Sequence, residues 1–231
     1  MTSVPPTALI VQPPTLYYSD DLVQLYHGDA IEVVAWLEAD VLITDPPYGS
    51  QTLAGSYGRR NGKNGRTIAN DATSETRDAA LSMWGSVRPV ACFGTPRLPE
   101  PPGEWVDRLV WDKREPGING GPWRYTHESI FVRGQGWVRT GPSAFSIISV
   151  PSGNGSPEKA DHVHAKPLPL MSRLLEAAPP GTIADPFAGS GSTLVAAKFH
   201  GRRAIGVELD EAHCETAAKR LSQDTLFGGA A

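Results

Sequence analysis

The sequence has few of the features that mark several common protein classes. It contains only two cysteines, Cys92 and Cys214, in 231 residues, which are too few for a disulfide framework and are typical of a reducing compartment. No run of apolar residues approaches the roughly 20 that a membrane-spanning helix needs. We therefore predict a cytoplasmic protein without a membrane segment, in which both cysteines act as small buried apolar side chains.

An excess of positive charge is also lacking. The net charge is −4, whereas a protein that binds nucleic acid usually carries a basic patch. One segment differs from the rest, because Arg59, Arg60, Lys63 and Arg66 lie in a Gly/Asn-rich stretch with no acid among them. Four cations on a loop suffice to neutralise phosphates, and a solvated loop without a ligand is an equally good interpretation.

Length and patterning predict one α/β domain. Short apolar segments alternate with segments of helical spacing, which indicates a mostly parallel sheet with helices on both faces. We expect a flexible arm over residues 1–15, a single domain over 16–224 and a flexible tail over 225–231. The predicted strands are 23–27, 41–44, 90–93, 108–111, 129–132, 182–185 and 204–208, and the predicted helices are 30–37, 74–87, 168–178, 192–200 and 211–221.

A glycine-rich segment joins a predicted strand to a predicted helix. It reads Asp185-Pro186-Phe187-Ala188-Gly189-Ser190-Gly191. Its glycines let the backbone approach a ligand closely, and the free N–H groups that begin the next helix favour an anion. A nucleotide triphosphate, a dinucleotide pyrophosphate and the carboxylate of a methionine moiety are three such anions, and a tight turn without a ligand is the alternative.

The residues that follow this loop distinguish between the three candidate ligands. A phosphate-binding P-loop places a lysine after its second glycine, and here Ser192 follows Gly191. A dinucleotide fingerprint requires a third glycine at the position that Leu194 occupies. Glu208 ends the next predicted strand, where a carboxylate accepts hydrogen bonds from both hydroxyls of a ribose. The pattern therefore favours a nucleoside that carries a methionine carboxylate.

A second motif, Asp45-Pro46-Pro47-Tyr48, also begins where a predicted strand ends. The amino group of adenine or cytosine is a poor nucleophile, so an enzyme that methylates it must align it with acceptors on both N–H bonds. The Asp45 carboxylate and the Pro46 carbonyl supply two acceptors, and proline fixes φ. Tyr48 offers a ring on which an extruded base can stack. A rigid turn without chemistry is the alternative.

Two other chemistries are disfavoured. Methylation at carbon 5 of cytosine needs a cysteine nucleophile, and neither cysteine lies in a suitable loop. Asp161-His162-Val163-His164 contains metal-ligating residue types but lacks a third strong ligand nearby. We therefore predict no metal site.

These motifs, in this order, resemble the β class of amino-DNA methyltransferases over nearly all of residues 23–221. The matching segments are His27-Gly28-Asp29-Ala30, Asp45 to Tyr48, His164-Ala165-Lys166-Pro167, Asp185 to Gly191 and Gly206-Val207-Glu208-Leu209-Asp210. Less specific matches are Ile68-Ala69-Asn70-Asp71, Trp111-Asp112-Lys113 and His127-Glu128. In that family the catalytic motif precedes the cofactor loop, as it does here.

The resemblance implies a fold and an activity. The fold would be a Rossmann-like α/β methyltransferase fold with circularly permuted motifs, in which a mixed seven-stranded sheet with one antiparallel strand carries helices on both faces. The cofactor would be S-adenosylmethionine and the partner double-stranded DNA. Asp at the first position of the catalytic motif favours adenine N6 over cytosine N4 in this class. A homodimer, a restriction partner and a non-catalytic DNA-binding subunit are left open.

The resemblance also implies the site residues. The catalytic residues would be Asp45, Pro46, Pro47 and Tyr48. The cofactor-binding residues would be Asp29, Ala30, Asp45, His164, Lys166, Pro167, Asp185, Pro186, Phe187, Ala188, Gly189, Ser190, Gly191, Glu208 and Leu209. A short target-recognition insertion is expected near residues 134–161. For DNA contact the residues themselves suggest Arg59, Arg60, Lys63, Arg66 and Trp123.

The cationic segment can be tested directly. Replacing Arg59, Arg60, Lys63 and Arg66 together by alanine should weaken duplex binding and make its salt dependence shallower, by roughly 0.9 in the log–log slope for each phosphate that is no longer neutralised. Fluorescence anisotropy at several salt concentrations measures both quantities. Unchanged affinity and an unchanged slope would show that this segment does not contact DNA.

Overall fold

The computed structural model describes residues 15–47, 74–115, 118–119, 123–140, 145–152 and 165–223. The strands are β1 (Thr15–Ser19), β2 (Val23–His27), β3 (Val41–Thr44), β4 (Val90–Gly94), β5 (Asp107–Asp112), β6 (Ile118–Asn119), β7 (Arg124–Tyr125), β8 (His127–Arg133), β9 (Ile147–Ser149), β10 (Ile183–Asp185) and β11 (Ala204–Glu208). The helices are α1 (Glu75–Trp84), α2 (Leu168–Ala177), α3 (Ser192–Phe199) and α4 (Glu211–Leu221), with a 3-10 helix at Val34–Glu38. None of the helices described is long and apolar enough to span a bilayer.

Nine of these strands form one sheet in the order β1-β2-β11-β10-β3-β4-β8-β5-β9. The five strands from β2 to β4 in that order are parallel to one another. Strand β8 is antiparallel to both of its neighbours, β9 is parallel to β5, and β1 is antiparallel to β2. A mixed sheet with helices on both faces confirms the predicted Rossmann-like α/β fold.

The number of strands differs from the predicted seven. The predicted strands are the seven from β2 to β5 in the sheet order, and among them β8 is the one antiparallel strand. Two edge strands, β1 and β9, bring the sheet to nine. Both are mostly exposed or half-buried, so neither shows the apolar run of a central strand. Strand β9 lies inside the predicted recognition interval 134–161, and that part of the interval belongs to the sheet.

Two predicted helices are shorter than expected. The predicted helix over 30–37 is a turn followed by the 3-10 helix, because Asp29 accepts hydrogen bonds from the N–H groups of the next residues. The Asp29 side chain takes the Ile31 N–H at 2.8 Å and its carbonyl takes that of Val33 at 2.8 Å. The predicted helix over 74–87 ends at Trp84, because Gly85 has a φ of +92° that no α-helix contains.

The central strands bury alternate side chains on opposite faces of the sheet. Val41 and Ile43 belong to the core covered by α2, α3 and α4, whereas Leu42 belongs to the core under α1 and the 3-10 helix. In the second core Trp36 stacks on Trp84 with 5.8 Å between ring centroids. Burial of both faces explains why the central strands read as uninterrupted apolar segments.

The two cysteines divide between these cores. Cys92 lies in β4 and Cys214 in α4, and both are fully buried and free, which confirms the predicted apolar role. Burial raises the pKa of both thiols, that of Cys214 to about 12. Neither side chain is therefore a nucleophile near neutral pH.

The stacked tryptophans make a testable contribution to stability. Trp84→Ala should lower the free energy of unfolding by about 3–5 kcal/mol, because it removes the stacked ring and the Nε1–H bond to the Pro89 carbonyl at 3.2 Å. Urea unfolding followed by circular dichroism measures the change. Trp123→Ala is the control, since Trp123 is 79% exposed and its loss should cost within about 0.5 kcal/mol. Equal losses for both variants would contradict this account of the core.

Candidate active site

Four acidic residues lie at one edge of the sheet, at the carboxyl ends of adjacent parallel strands. Asp29 follows β2, Glu208 ends β11, Asp185 ends β10 and Asp45 follows β3. Ligands of parallel sheets bind at this edge. The two motifs predicted from the sequence therefore meet on neighbouring strands, β10 and β3.

The glycine-rich loop after β10 has the backbone shape that its glycines allow. Gly189 and Gly191 have φ angles of +52° and +80°, which side chains rarely permit. A Cβ on Gly191 would lie 2.9 Å from the Ala217 Cβ in α4, so this glycine also allows close packing. A Cβ on Gly189 would meet nothing within 4 Å. The loop therefore leaves open space directly above Gly189.

Glu208 faces that loop from the end of β11. Its carboxylate accepts the Gly189 N–H at 2.7 Å and the Asp210 N–H at 2.8 Å, and its side chain is 12% exposed. A carboxylate offers about four acceptor positions, and these two bonds use two of them. Leu209, the next residue, is 37% exposed. An anchored acceptor, open space at Gly189 and an apolar side chain beside them fit a ribose that carries a flat base.

The segment after β2 borders the same region. The Gly28 N–H donates to the Glu208 carbonyl at 3.0 Å and thereby joins the ends of β2 and β11. Asp29 forms the turn described above, and the Ala30 carbonyl accepts a hydrogen bond from Trp36 Nε1 at 2.9 Å. Both predicted cofactor contacts, Asp29 and Ala30, thus lie beside Glu208, and their binding role stays a prediction.

The Asp185 carboxyl points into the protein and not toward the loop's open side. It is 2% exposed and accepts hydrogen bonds from the Thr44 hydroxyl at 2.8 Å, the Phe187 N–H at 3.2 Å and the Thr193 hydroxyl. Thr44 ends β3 and Thr193 lies in α3. The carboxyl thereby connects the strand of one motif to the strand and helix of the other, while a direct contact of Asp185 with the cofactor stays a prediction.

Asp45 forms an ion pair that the sequence did not suggest. Its Oδ2 contacts Nζ of Lys166, from the segment just before α2, and the same Nζ lies 3.1 Å from Oε2 of Glu128. Lys113 Nζ lies 2.5 Å from the other oxygen of Glu128. The family resemblance places Lys166 at the cofactor, and that role stays a prediction. No role for Glu128 or Lys113 follows from the sequence, because their proximity depends on the pairing of β5 with β8.

A further residue supports the cofactor loop from behind. Arg220, in α4, donates to the Ser190 carbonyl at 2.5 Å and to the Ser190 hydroxyl at 3.0 Å. Burial lowers the pKa of its guanidinium. No motif in the sequence connects Arg220 with the loop, since the contact depends on the way α4 packs against α3.

Several predicted site residues lie outside the described residues. They are Tyr48, His164, Arg59, Arg60, Lys63 and Arg66. Trp123 is described and exposed, as a base-stacking residue requires, and Pro167 is the N-cap of α2. Within the described ranges, no three His, Cys, Asp or Glu side chains gather as metal ligands.

Comparison with known families adds to this geometry. The family model of the N6/N4 DNA methylases matches residues 69–219. The chain belongs to this DNA methylase family. YubD of Escherichia coli (strain K12), a provisionally named methylase, is 32% identical over 225 residues, which cover 88% of this chain and 93% of YubD. The family resemblance expected from the motifs is thus confirmed.

Two solved structures share the fold of this DNA methylase. The M1.HpyAVI complex with S-adenosylmethionine has a TM-score of 0.62 at 22% identity, and covers 87% of this chain and 100% of its own. The PvuII DNA methyltransferase, a cytosine-N4-specific enzyme, has a TM-score of 0.63 at 13% identity, and covers 90% of this chain and 89% of its own. S-Adenosylmethionine is the cofactor of the family.

The buried Asp185 carboxyl predicts a pH dependence of stability. Burial raises its pKa to about 7 from the usual 3.8, although hydrogen bonds from the two threonines and Phe187 oppose the rise. Because the pKa is higher in the folded state, this carboxyl stabilises the fold fully below about pH 4 and loses that contribution as the pH rises through 7. The free energy of unfolding should therefore fall by up to about 4 kcal/mol across that interval.

An asparagine at this position cannot ionise. Asp185→Asn should flatten the fall between about pH 4 and pH 7, as measured by urea unfolding at each pH. The control is Asp21→Asn, which replaces an exposed acid and should keep the slope of the unaltered chain. Parallel pH profiles for the unaltered chain and Asp185→Asn would contradict the assignment.

Proposed function

We propose that this DNA methylase transfers a methyl group from S-adenosylmethionine to the N6 amino group of adenine in duplex DNA at a specific sequence. The observation that carries the proposal is the position of Asp45-Pro46, which follows β3 directly beside the β10–α3 loop. An acceptor for an amino group and a pocket for a nucleoside thus lie at adjacent strand ends. Transfer between them needs no further element.

The cofactor half of the site uses Glu208 and the glycine loop. When bound, S-adenosylmethionine supplies a methyl group on a positively charged sulfur. The Glu208 carboxylate accepts hydrogen bonds from the ribose hydroxyls, and Gly189 leaves room for the ligand because it has no side chain. The free N–H groups at the start of α3 favour the methionine carboxylate, and Leu209 offers apolar surface to the adenine ring.

The base half of the site uses the residues after β3. The Asp45 carboxylate accepts one N–H of the target amino group, and the Pro46 carbonyl accepts the other. These two bonds direct the nitrogen lone pair at the methyl carbon, so that alignment supplies most of the acceleration. The nitrogen would form the new bond to carbon, sulfur would keep the electrons of the broken bond, and the nitrogen would then release one proton to water. Tyr48 is proposed to stack on the extruded base.

Two bases carry an amino group that this site fits. Asp at the first position of the catalytic motif favours adenine N6 in the β class. Cytosine N4 is the second candidate, because the PvuII enzyme, which is cytosine-N4-specific, shares the fold with a TM-score of 0.63. The two products differ in mass and chromatographic behaviour as nucleosides.

The modified nucleoside identifies the reaction. The chain is incubated with methyl-labelled S-adenosylmethionine and a mixture of duplexes, the DNA is digested to nucleosides, and the label is located by mass spectrometry. The proposal expects the label in N6-methyldeoxyadenosine. Label in N4-methyldeoxycytidine would show that cytosine N4, and not adenine N6, is the target. If the cofactor binds but no duplex receives a methyl group, the proposed enzymatic function is wrong.

The two halves of the site predict opposite effects of two substitutions. Asp45→Ala should lower the single-turnover rate by roughly 10²–10³-fold and weaken cofactor binding by a much smaller factor. Glu208→Ala should weaken cofactor binding by roughly tenfold or more, since hydrogen bonds to a charged group contribute about 1.5–3 kcal/mol. Calorimetry and rapid-quench kinetics measure the two quantities. Asp21→Ala, at an exposed acid, is the control. A loss of cofactor affinity in Asp45→Ala equal to its loss of rate would contradict this division.

A further inference from the structure

A row of four side chains with alternating charge extends from Asp45 along the same edge of the sheet. Lys166 Nζ lies between Oδ2 of Asp45 and Oε2 of Glu128, at 3.1 Å from the latter. Glu128 in turn lies between Lys166 and Lys113, whose Nζ is 2.5 Å from Oε1. The two cations and two anions balance, so the row carries no net charge.

The row is largely enclosed by protein. The side chains of Lys166 and Glu128 are only 10% and 14% exposed. Lys166 Nζ lies 4.9 Å from the centroid of the Phe93 ring and 5.7 Å from that of Trp111, and Lys113 Nζ lies 5.0 Å from the Trp111 ring. Trp111 is itself fixed, because its Nε1–H donates to the Val150 carbonyl at 2.8 Å. Aromatic side chains and little water therefore surround these charges, and their attraction is stronger than it would be in water.

The fold explains how residues distant in sequence meet here. Strand β8 is antiparallel to β5, and the register pairs Glu128 at the start of β8 with Trp111 at the end of β5. The start of an antiparallel strand lies at the same edge as the ends of its parallel neighbours. Glu128 consequently lies within reach of Lys166, in the segment before α2.

The electrostatics favour the charged forms of Lys166 and Glu128. Burial alone would lower the pKa of Lys166, but the carboxylates of Asp45 and Glu128 outweigh it and raise the pKa above its usual value. Burial alone would raise the pKa of Glu128, but Lys166 and Lys113 outweigh it and lower the pKa. Removal of one member would leave its neighbours buried with an unbalanced charge.

We propose that Glu128, supported by Lys113, is a positioning residue that holds the Lys166 ammonium in place and thereby fixes the orientation of the Asp45 carboxylate. This proposal rests on the proposed function, in which Asp45 grips the target amino group. It assigns to Lys166 a task besides any contact with the cofactor. None of the three residues needs to touch the base.

The geometry gives the reason for two carboxylates around one ammonium. A lysine with Asp45 as its only anionic partner is free to swing across both carboxylate oxygens and to compete with the amino group of the base. The ion-pair contact with Glu128 at 3.1 Å restricts this motion, because Nζ cannot move toward the other oxygen of Asp45 without leaving Glu128. An ionised carboxylate is also an acceptor only, which is the form that an N–H group requires. A shift of about 1 Å in such an acceptor costs a methyl transfer as much as 10²-fold.

The test removes the charge of Glu128 without changing its shape. Glu128→Gln should lower the single-turnover rate at saturating cofactor and DNA by roughly 10–100-fold, while the Kd values of cofactor and duplex stay within about twofold. Glu128→Asp, which keeps the charge, should recover part of the rate. The matched control is Glu100→Gln, since Glu100 pairs with Arg108 at an exposed position and should keep the full rate.

Two kinetic outcomes would overturn the proposal in an active enzyme. The first is a rate of Glu128→Gln within about twofold of the unaltered chain. The second is a loss of rate that is matched by an equal loss of cofactor affinity or that Glu128→Asp does not restore. Either result indicates a role of Glu128 in binding or folding. If the unaltered chain methylates no duplex, the proposed function is wrong. A measurement that does not depend on activity then tests whether Glu128 holds Lys166 in place.

That measurement is the reactivity of the Lys166 amine. Trace acetylation with acetic anhydride, quantified by mass spectrometry, should label Lys166 far more slowly than Lys219, whose side chain is 70% exposed. Glu128→Gln should speed the labelling of Lys166 and leave that of Lys219 unchanged, because only unprotonated amines react and one of the two stabilising carboxylates is gone. Equal labelling of Lys166 in both forms would show that Glu128 does not hold it.

Discussion

The parallel pairing of β3 with β10 sets the distance between the two halves of the proposed active site. Val41 lies opposite Ile183 in this pair, so Asp185 is level with Ile43 and β3 extends one residue beyond β10. A buried hydrogen bond from the Thr44 hydroxyl to the Asp185 carboxyl, 2.8 Å long, joins the two ends. The base-binding motif begins one residue beyond Thr44 and the cofactor loop one residue beyond Asp185. Any slip of this register would separate the proposed position of the methyl donor from that of the amino group.

Three carboxylates at this edge of the sheet each have a partner. Glu208 accepts hydrogen bonds from two backbone N–H groups, and Asp185 accepts them from hydroxyl groups. Asp45 contacts the ammonium of Lys166. Buried ion pairs contribute little to net stability, because desolvation offsets their attraction. The arrangement is better explained by geometry than by stability, since a carboxylate held on one side keeps its orientation while a substrate approaches from another.

The sequence predicts the parts of this structure that depend on local pattern. Apolar runs indicate the central strands, and the residues after two of these runs form the motifs that start at Asp45 and Asp185. Contacts that depend on tertiary packing leave no such pattern. Glu128 reaches Lys166 only through the register of β5 with β8, and Arg220 reaches the cofactor loop only through the packing of α4. The edge strands β1 and β9 also escaped prediction, because they bury too little apolar surface to show a run.

On the proposed function, one pocket at the ends of β11, β10 and β3 brings the methyl donor to Asp45. A crystal structure with an unreactive analogue of S-adenosylmethionine, which carries an amine in place of the methyl group, tests it most directly. We expect both ribose hydroxyls within about 2.6–3.2 Å of the Glu208 carboxylate, the methionine chain of the analogue next to Gly189, and its amine on the side of Asp45. An analogue bound elsewhere, or bound with its amine directed away from Asp45, would contradict the account.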